Sequence, residues 1–217
     1  MCRASPRNCC RRPKGLRRAL AAPPGLVAVT DPADNLYSGG AADTPALFKA
    51  LLALRPKVAA VFAYFADAEV VAAAHAAGEG HRLAVTLGAK ASSAFGRGVP
   101  VAARVLRLAQ ARFTNSGPME HGLTVDLGAS AVLDVGGIAV VVTTHCGPAN
   151  DPAFFVAHGI DLAATRLLCV KAKNHFRAAF AERCAAIIDV DCPGPAMADV
   201  ARLRRYSDRG GISKELQ

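Results

Sequence analysis

Apolar and polar positions along residues 26–195 fall into blocks that read as a succession of strands and helices. Leu26–Thr30 is a short unbroken apolar run, the signature of a buried strand. A loop crowded with Asp, Asn and Gly follows it. In 43–54, Leu47, Leu51 and Leu54 recur on one helical face, Asp43 or Thr44 is placed to cap, and Pro45 suits the first turn. Residues 58–65 read as a second strand, and 67–78 as a helix capped by Asp67 and stopped at Gly78. A third strand covers 82–88. This order predicts a right-handed parallel α/β opening.

The middle has a different rhythm. Residues 99–115 read as extended chain, and 131–144 as two apolar strands joined at Gly136-Gly137, the clearest hairpin signal. A short helix at 151–159, a strand at 166–172, a helix at 174–184 and a strand at 185–191 then resume the α/β pattern. The expected fold class is α/β: a mixed sheet with flanking helices and an antiparallel hairpin insertion, in one domain over 26–200.

Composition sharpens this picture. Of 217 residues, 52% are hydrophobic and 20% charged, which suits a globular chain rather than a disordered one. No apolar run is long enough to span a membrane. The net charge of +9 is unevenly spread. Residues 1–20 hold seven basic and no acidic groups, 21–199 hold 14 and 15, and 200–217 hold five and two. Residues 1–25 and 201–217 are therefore expected to be solvated basic tails, with organelle import as an alternative use of the Arg-rich start. The neutral body argues against nucleic-acid binding. Seven cysteines without zinc-ribbon spacing fit buried free thiols in a reducing, cytoplasmic compartment.

Two segments are candidates for chemistry. In 31–40, DPADNLYSGG, the glycines Gly39 and Gly40 would let backbone N–H groups approach an anion, while Asp31, Asp34 and Asn35 would orient a cation or a neighbouring loop. The alternative is a self-capping turn. In VKAKNHFRAAF (170–180), Lys171, His175 and Arg177 crowd a strand-to-helix handover, where α/β proteins place ligands. They would serve an anion or carboxylate contact, a docking surface or proton transfer through His175, or else bond strand-end carbonyls and acidic loops. The six histidines lack metal-ligand spacing, and no H-E-x-x-H occurs, so no metal is expected on this chain.

The 170–180 run resembles the "VKS..HFRA.F" signature of the C-terminal domain of MlrC-type (microcystinase) zinc metallopeptidases, with Ala172 at the serine position. DPADN with Gly39-Gly40 is similar to that family's "D..DN.GGG", with Leu36-Tyr37-Ser38 replacing a Pro-Gly approach. Further matches run in order through LGAK (87–90), RFTNSGPMEHG (112–122), DLG (126–128), the Gly136-Gly137 hairpin, HGID (158–161) and Asp191 with Pro193-Gly194. The resemblance implies kinship with peptide- or amide-hydrolysing zinc enzymes whose metal ligands lie in an N-terminal domain. None of those ligands maps onto this chain. It also implies an N-terminal metallopeptidase domain as partner, with inactivity of this domain alone. The alternatives are a non-catalytic module, self-associating or binding a peptide or small carboxylate, or a truncated remnant.

Overall fold

The computed structural model describes residues 10–196. Its strands are β1 (Cys10–Arg11), β2 (Leu26–Thr30), β3 (Ala60–Ala66), β4 (Arg82–Leu87), β5 (Val99–Thr114), β6 (Thr124–Val135), β7 (Ile138–Thr143), β8 (Leu167–Val170) and β9 (Cys184–Asp191). Its helices are α1 (Arg12–Leu20), α2 (Ala46–Leu54), α3 (Ala68–Ala77), α4 (Pro152–Ala157) and α5 (Asn174–Phe180). The strands form one mixed sheet in the order β1-β9-β2-β8-β3-β7-β6-β5-β4. Pairing is parallel from β1 to β7 and antiparallel from β7 to β4. The mixed α/β sheet with its antiparallel segment is thus as the chain's pattern predicts.

Helices cover both faces of the parallel half. Leu16 of α1, Leu47, Phe48 and Leu51 of α2, and Val70, Val71 and Ala74 of α3 pack on one face. Phe154 and Phe155 of α4 and Phe176 and Phe180 of α5 pack on the other. Two-sided cover explains why β2 and β8 are apolar at almost every position. The path β2–α2–β3 runs one way across the first face, while β7–α4–β8 and β8–α5–β9 return across the second. Opposite directions on opposite faces keep a single crossover hand.

Short-range chemistry sets the boundaries. Asp67 Oδ1 accepts from Val70 N at 3.0 Å and caps α3, and Asp151 Oδ1 accepts from Ala153 N at 2.8 Å and caps α4. Gly136 and Gly137, with φ of 62° and 86°, make the two-residue turn between β6 and β7 that twisted strands favour. In β3 the register against β7 skips between Ala63 and Phe65. Ala63 and Tyr64 therefore both face the α4/α5 layer, leaving Phe62 and Phe65 for α2.

Four expectations need correction. The strand at 82–88 does not extend a parallel unit: β4 is the far edge, antiparallel to β5, and β7 takes the place beside β3. Asp43 and Thr44 do not cap α2, because their groups are engaged with neighbouring loops. The helix expected at 174–184 ends at Phe180, and Cys184 already belongs to β9. Residues 10–20 are not a solvated tail. They form β1 and α1, with Arg11, Lys14, Arg17 and Arg18 exposed, Arg12 Nη1 donating to Asp191 O at 3.0 Å, and Gly15, Leu16 and Ala19 buried. A Cβ at Gly15 would collide with Val190, so that glycine lets the helix lie close on β9. The Arg166 guanidinium closes the end of α1, donating to Gly25 O and Ala22 O at 2.7 Å each. Residues 1–9 and the expected tail at 201–217 lie outside the described residues. No helix among the described residues is long and apolar enough to cross a membrane.

If α1 is part of the core, Leu16→Ala should cost about 2–5 kcal/mol of unfolding free energy in a denaturant titration. A solvated tail would leave the midpoint unchanged.

Candidate functional site

Parallel strands present their carboxyl ends at one sheet edge, and the loops leaving β2, β3, β7, β8 and β9 all gather there. Ligands of α/β proteins bind at this edge. Adjacent β2 and β8 bring the two segments singled out in the sequence together. Asp34 is their meeting point. Its Oδ1 accepts from Ala41 N at 3.1 Å, and its Oδ2 accepts from Thr44 N at 2.8 Å and Thr44 Oγ1 at 2.9 Å. Lys171 Nζ lies 2.9 Å from Asp34 Oδ2, an ion pair whose angle falls outside hydrogen-bond geometry. Both side chains are buried, at 1% exposure each. The ammonium also sits 4.3 Å from the centroid of the Phe65 ring, a cation–π contact made possible by the β3 register skip. Burial pulls the Lys171 pKa below its ordinary value, against the opposing pull of Asp34.

Asp31 lies beside this pair with no solvent exposure. Its Oδ1 accepts from Ala33 N at 3.0 Å, while Oδ2 has no hydrogen-bond partner. Burial raises its pKa from 3.8 to about 6, with Lys171 opposing and Asp34 adding to the rise. The glycines serve the loop itself. Gly39 N donates to Leu36 O and Gly40 N to Asn35 O, and a Cβ at Gly40 would strike the Asp34 carbonyl. Those N–H groups are used internally, which corrects the expectation that they would face an anion. Asn35 is buried and its Nδ2 donates to Ser38 Oγ at 3.0 Å.

Lys171, His175 and Arg177 do not form one cluster. Lys171 is interior. His175, half-buried, lies against Tyr37 with ring centroids 4.5 Å apart, and its Nδ1 is shut from water without a partner. Arg177, two positions further on a helix, points elsewhere. Its Nη2 donates to Asp189 Oδ1 at 2.8 Å, and the same oxygen accepts from Thr30 Oγ1 at 2.5 Å. Arg177 and Asp189 line a separate hollow of about 470 Å³ shared with Arg18.

Other groups complete the edge around His175. Tyr37 Oη donates to Glu120 Oε2 at 2.6 Å. Burial first and that carboxylate second push the Tyr37 pKa up, while the neighbouring Asn150 amide opposes the rise. Asp151 binds Gly117 N at 2.6 Å and Ser116 Oγ at 3.1 Å, fastening the 115–122 loop to the start of α4. Asn115 Oδ1 and Asn150 Nδ2 are buried there without hydrogen-bond partners of good geometry. Single-residue reading missed Tyr37, Glu120, Asn115 and Asn150. The motif 112–122 was visible, but nothing in it said that it folds back on the β2 loop.

The MlrC C-terminus family matches residues 29–206. The chain belongs to the MlrC C-terminal family. A solved structure named "Putative metallopeptidase" from Mesorhizobium sp. BNC1 is similar, with 31% identity and a TM-score of 0.77 over 86% of this chain. This MlrC C-terminal chain spans 37% of the length of that one. No curated protein matches.

The zinc that the family resemblance implies would need three or four donor side chains converging on one point. Among the described residues no three His, Cys, Asp or Glu side chains converge on one point. The edge carboxylates are engaged by Lys171, Lys90, the Tyr37 hydroxyl or backbone N–H groups: Asp67, for instance, takes Lys90 Nζ at 2.9 Å. His145 and Cys146 are both exposed, and Cys146 Sγ contacts Ala41 O at 3.5 Å. These residues do not fit a zinc site.

The raised Asp31 pKa has a definite sign. Its stabilising contribution is complete below 3.8 and is lost as pH rises through about 6. Asp31→Asn should therefore stabilise the domain at neutral pH by on the order of 3 kcal/mol and flatten the pH profile in that window. Parallel profiles for both proteins, from urea melts at several pH values, would show that Asp31 titrates normally.

Proposed function

We propose that this domain works as the substrate-cleft wall of a metal-dependent peptide- or amide-bond hydrolase whose metal is held by a separate N-terminal half. The observation carrying this reading is the convergence at one sheet edge of Tyr37, Glu120, Asn150 and His175, from four separate loops or helix starts, with the Asn150 amide beside the Tyr37 hydroxyl and His175 Nδ1 left unpartnered. Unpartnered buried polar groups cost stability, and a site that binds a peptide amide is one setting that keeps them. In such hydrolases the metal polarises the scissile carbonyl and activates water. On this side of the cleft, Asn150 would hold a peptide carbonyl and His175 would accept or donate at a backbone amide. The buried Asp31–Asp34–Lys171 group would keep the Tyr37 loop in place. Arg177 stands outside this wall.

The reading is supported by the family match and by the length of the Mesorhizobium protein that this chain does not span. A chimera tests it: this domain replaces the corresponding region of the Mesorhizobium protein, zinc is supplied, and peptide hydrolysis is followed. His175→Ala should lower kcat/KM by about 10- to 100-fold, the scale of leaving a buried hydrogen-bonding partner unsatisfied, with an unchanged melting temperature. Arg177→Ala should lower the melting temperature and leave kcat/KM nearly intact. Full activity in both His175→Ala and Asn150→Ala would remove this edge from the cleft.

A further inference from the structure

An open sheet leaves unpaired backbone groups along its outer strands, and proteins protect such edges with charge, bulges or covering elements. This sheet protects two of its free stretches in that way. On one side β1 is only two residues long and hands over at once to α1. In the part of β5 beyond β4, the register against β6 shifts at Val105/Arg107 and again at Gln110/Arg112. Arg107 and Arg112 stand exposed there, and Glu79 Oε1 accepts from Leu108 N at 2.7 Å.

β4 has none of these devices. It is the last strand of the sheet, and its ladder to β5 runs without a shift from Arg82↔Arg104 to Leu87↔Val99. Every second residue of an antiparallel edge strand turns its N–H and C=O outward. No backbone hydrogen bond from another element meets them here. The strand carries no proline and no acid, and its one charge, Arg82, is at the first position. Leu83 and Val85 are half-buried against the core face, while Ala84 and Thr86 are exposed on the other.

The helix above this strand is equally unprotected. α3 packs on β4. His75 Nε2 lies 3.2 Å from Ser130 O of β6 on one flank of the helix, and Glu69 takes Lys90 Nζ, past the end of β4, at 2.7 Å on the other. Ala73 and Ala76 follow Glu69 at helical spacing and share its flank. Both are exposed. A solvated helix face normally carries charged or polar residues. This one sets methyl groups beside an open strand.

We propose that the β4 edge pairs with β4 of a second copy of this chain, antiparallel about a twofold axis at Ala84, so that one sheet runs through both molecules and the two α3 flanks pack over the join. The edge is self-complementary in that register. Leu83 meets Val85 of the second copy on the α3 side, and the two Arg82 guanidinia lie at opposite ends of the ladder. A strand of this length spans about 20 Å, and strand and helix layers together are about 20 Å deep, giving on the order of 400 Å² per copy. That is the scale of a weak, reversible interface, to which main-chain hydrogen bonds add affinity. Pairing uses up the edge, so association closes at two copies. The inference does not depend on the hydrolase reading.

Sedimentation velocity of the 217-residue chain, in reducing buffer over the micromolar range, tests the proposal. A reversible monomer–dimer equilibrium is expected. Ala84→Lys sets like charges against each other at the axis and should weaken association at least about tenfold, as should Ala73→Lys beside it. Mixing Ala84→Lys with Ala84→Glu chains should restore a dimer that neither forms alone, because the two positions then meet as opposite charges. Both positions are exposed, so the monomer fold should survive, which circular dichroism checks; if Ala84→Lys unfolds, Ala73→Lys decides alone. A wild-type chain that stays monomeric, leaving the edge to another protein, would overturn the assignment. So would association that runs past two copies, a dimer indifferent to both substitutions, or a Lys/Glu mixture that stays monomeric.

Discussion

A lysine ammonium buried at the end of a central strand is the constraint on which the rest of the edge depends. Lys171 leaves β8 into the interior, and water cannot compensate its charge there. Isolated buried charges are too costly to persist, so the fold must bring a carboxylate to it. Asp34 meets that demand because β2 and β8 are neighbours, and the same carboxylate gathers Ala41 and Thr44. The fold of the 31–44 loop follows from that one acid serving four partners. Gly40 can close against Asp34 because it has no Cβ, and Tyr37 is thereby carried to His175 and Glu120.

This arrangement changes the electrostatic character of the site. Three basic or titratable residues in seven positions suggest a cationic turn, but the structure distributes them to three different surroundings. Lys171 is neutralised inside, Arg177 is neutralised by Asp189, and only His175 reaches the loop cluster. With Asp31 beside the ion pair, the interior carries an excess of acid rather than of base, and burial first, with Asp34 adding to it, holds the Asp31 carboxyl above its ordinary value. The surface above it combines the Asn150 amide, the Tyr37 phenol, the His175 imidazole and the Glu120 carboxylate.

Most of the parallel half was legible in the sequence, because two-sided burial makes continuous apolar runs and because Asp67, Asp151 and Gly136-Gly137 have local duties. The Asp31–Gly40 and Lys171–Arg177 segments were also visible as places of chemistry. Their division of labour was not, since it depends on β2 lying next to β8, a pairing that no local pattern encodes. The position of β4 was illegible for the same reason: alternation shows a half-exposed strand but not its partner. In α1, arginine-rich composition hid a short apolar face of Gly15, Leu16 and Ala19. The Tyr37–Glu120 contact joins residues 83 positions apart and left no local trace.

The central claim is that Asp34 and Lys171 act as one buried unit that organises the edge. A double-mutant cycle with Asp34→Asn and Lys171→Met, read by chemical denaturation, measures it most directly. Each single change should cost about 3–5 kcal/mol, because each leaves the other group buried without its counter-charge. The double variant should cost clearly less than both together, with a coupling of about 1–3 kcal/mol. Additive costs, or a harmless Lys171→Met alone, would contradict the account.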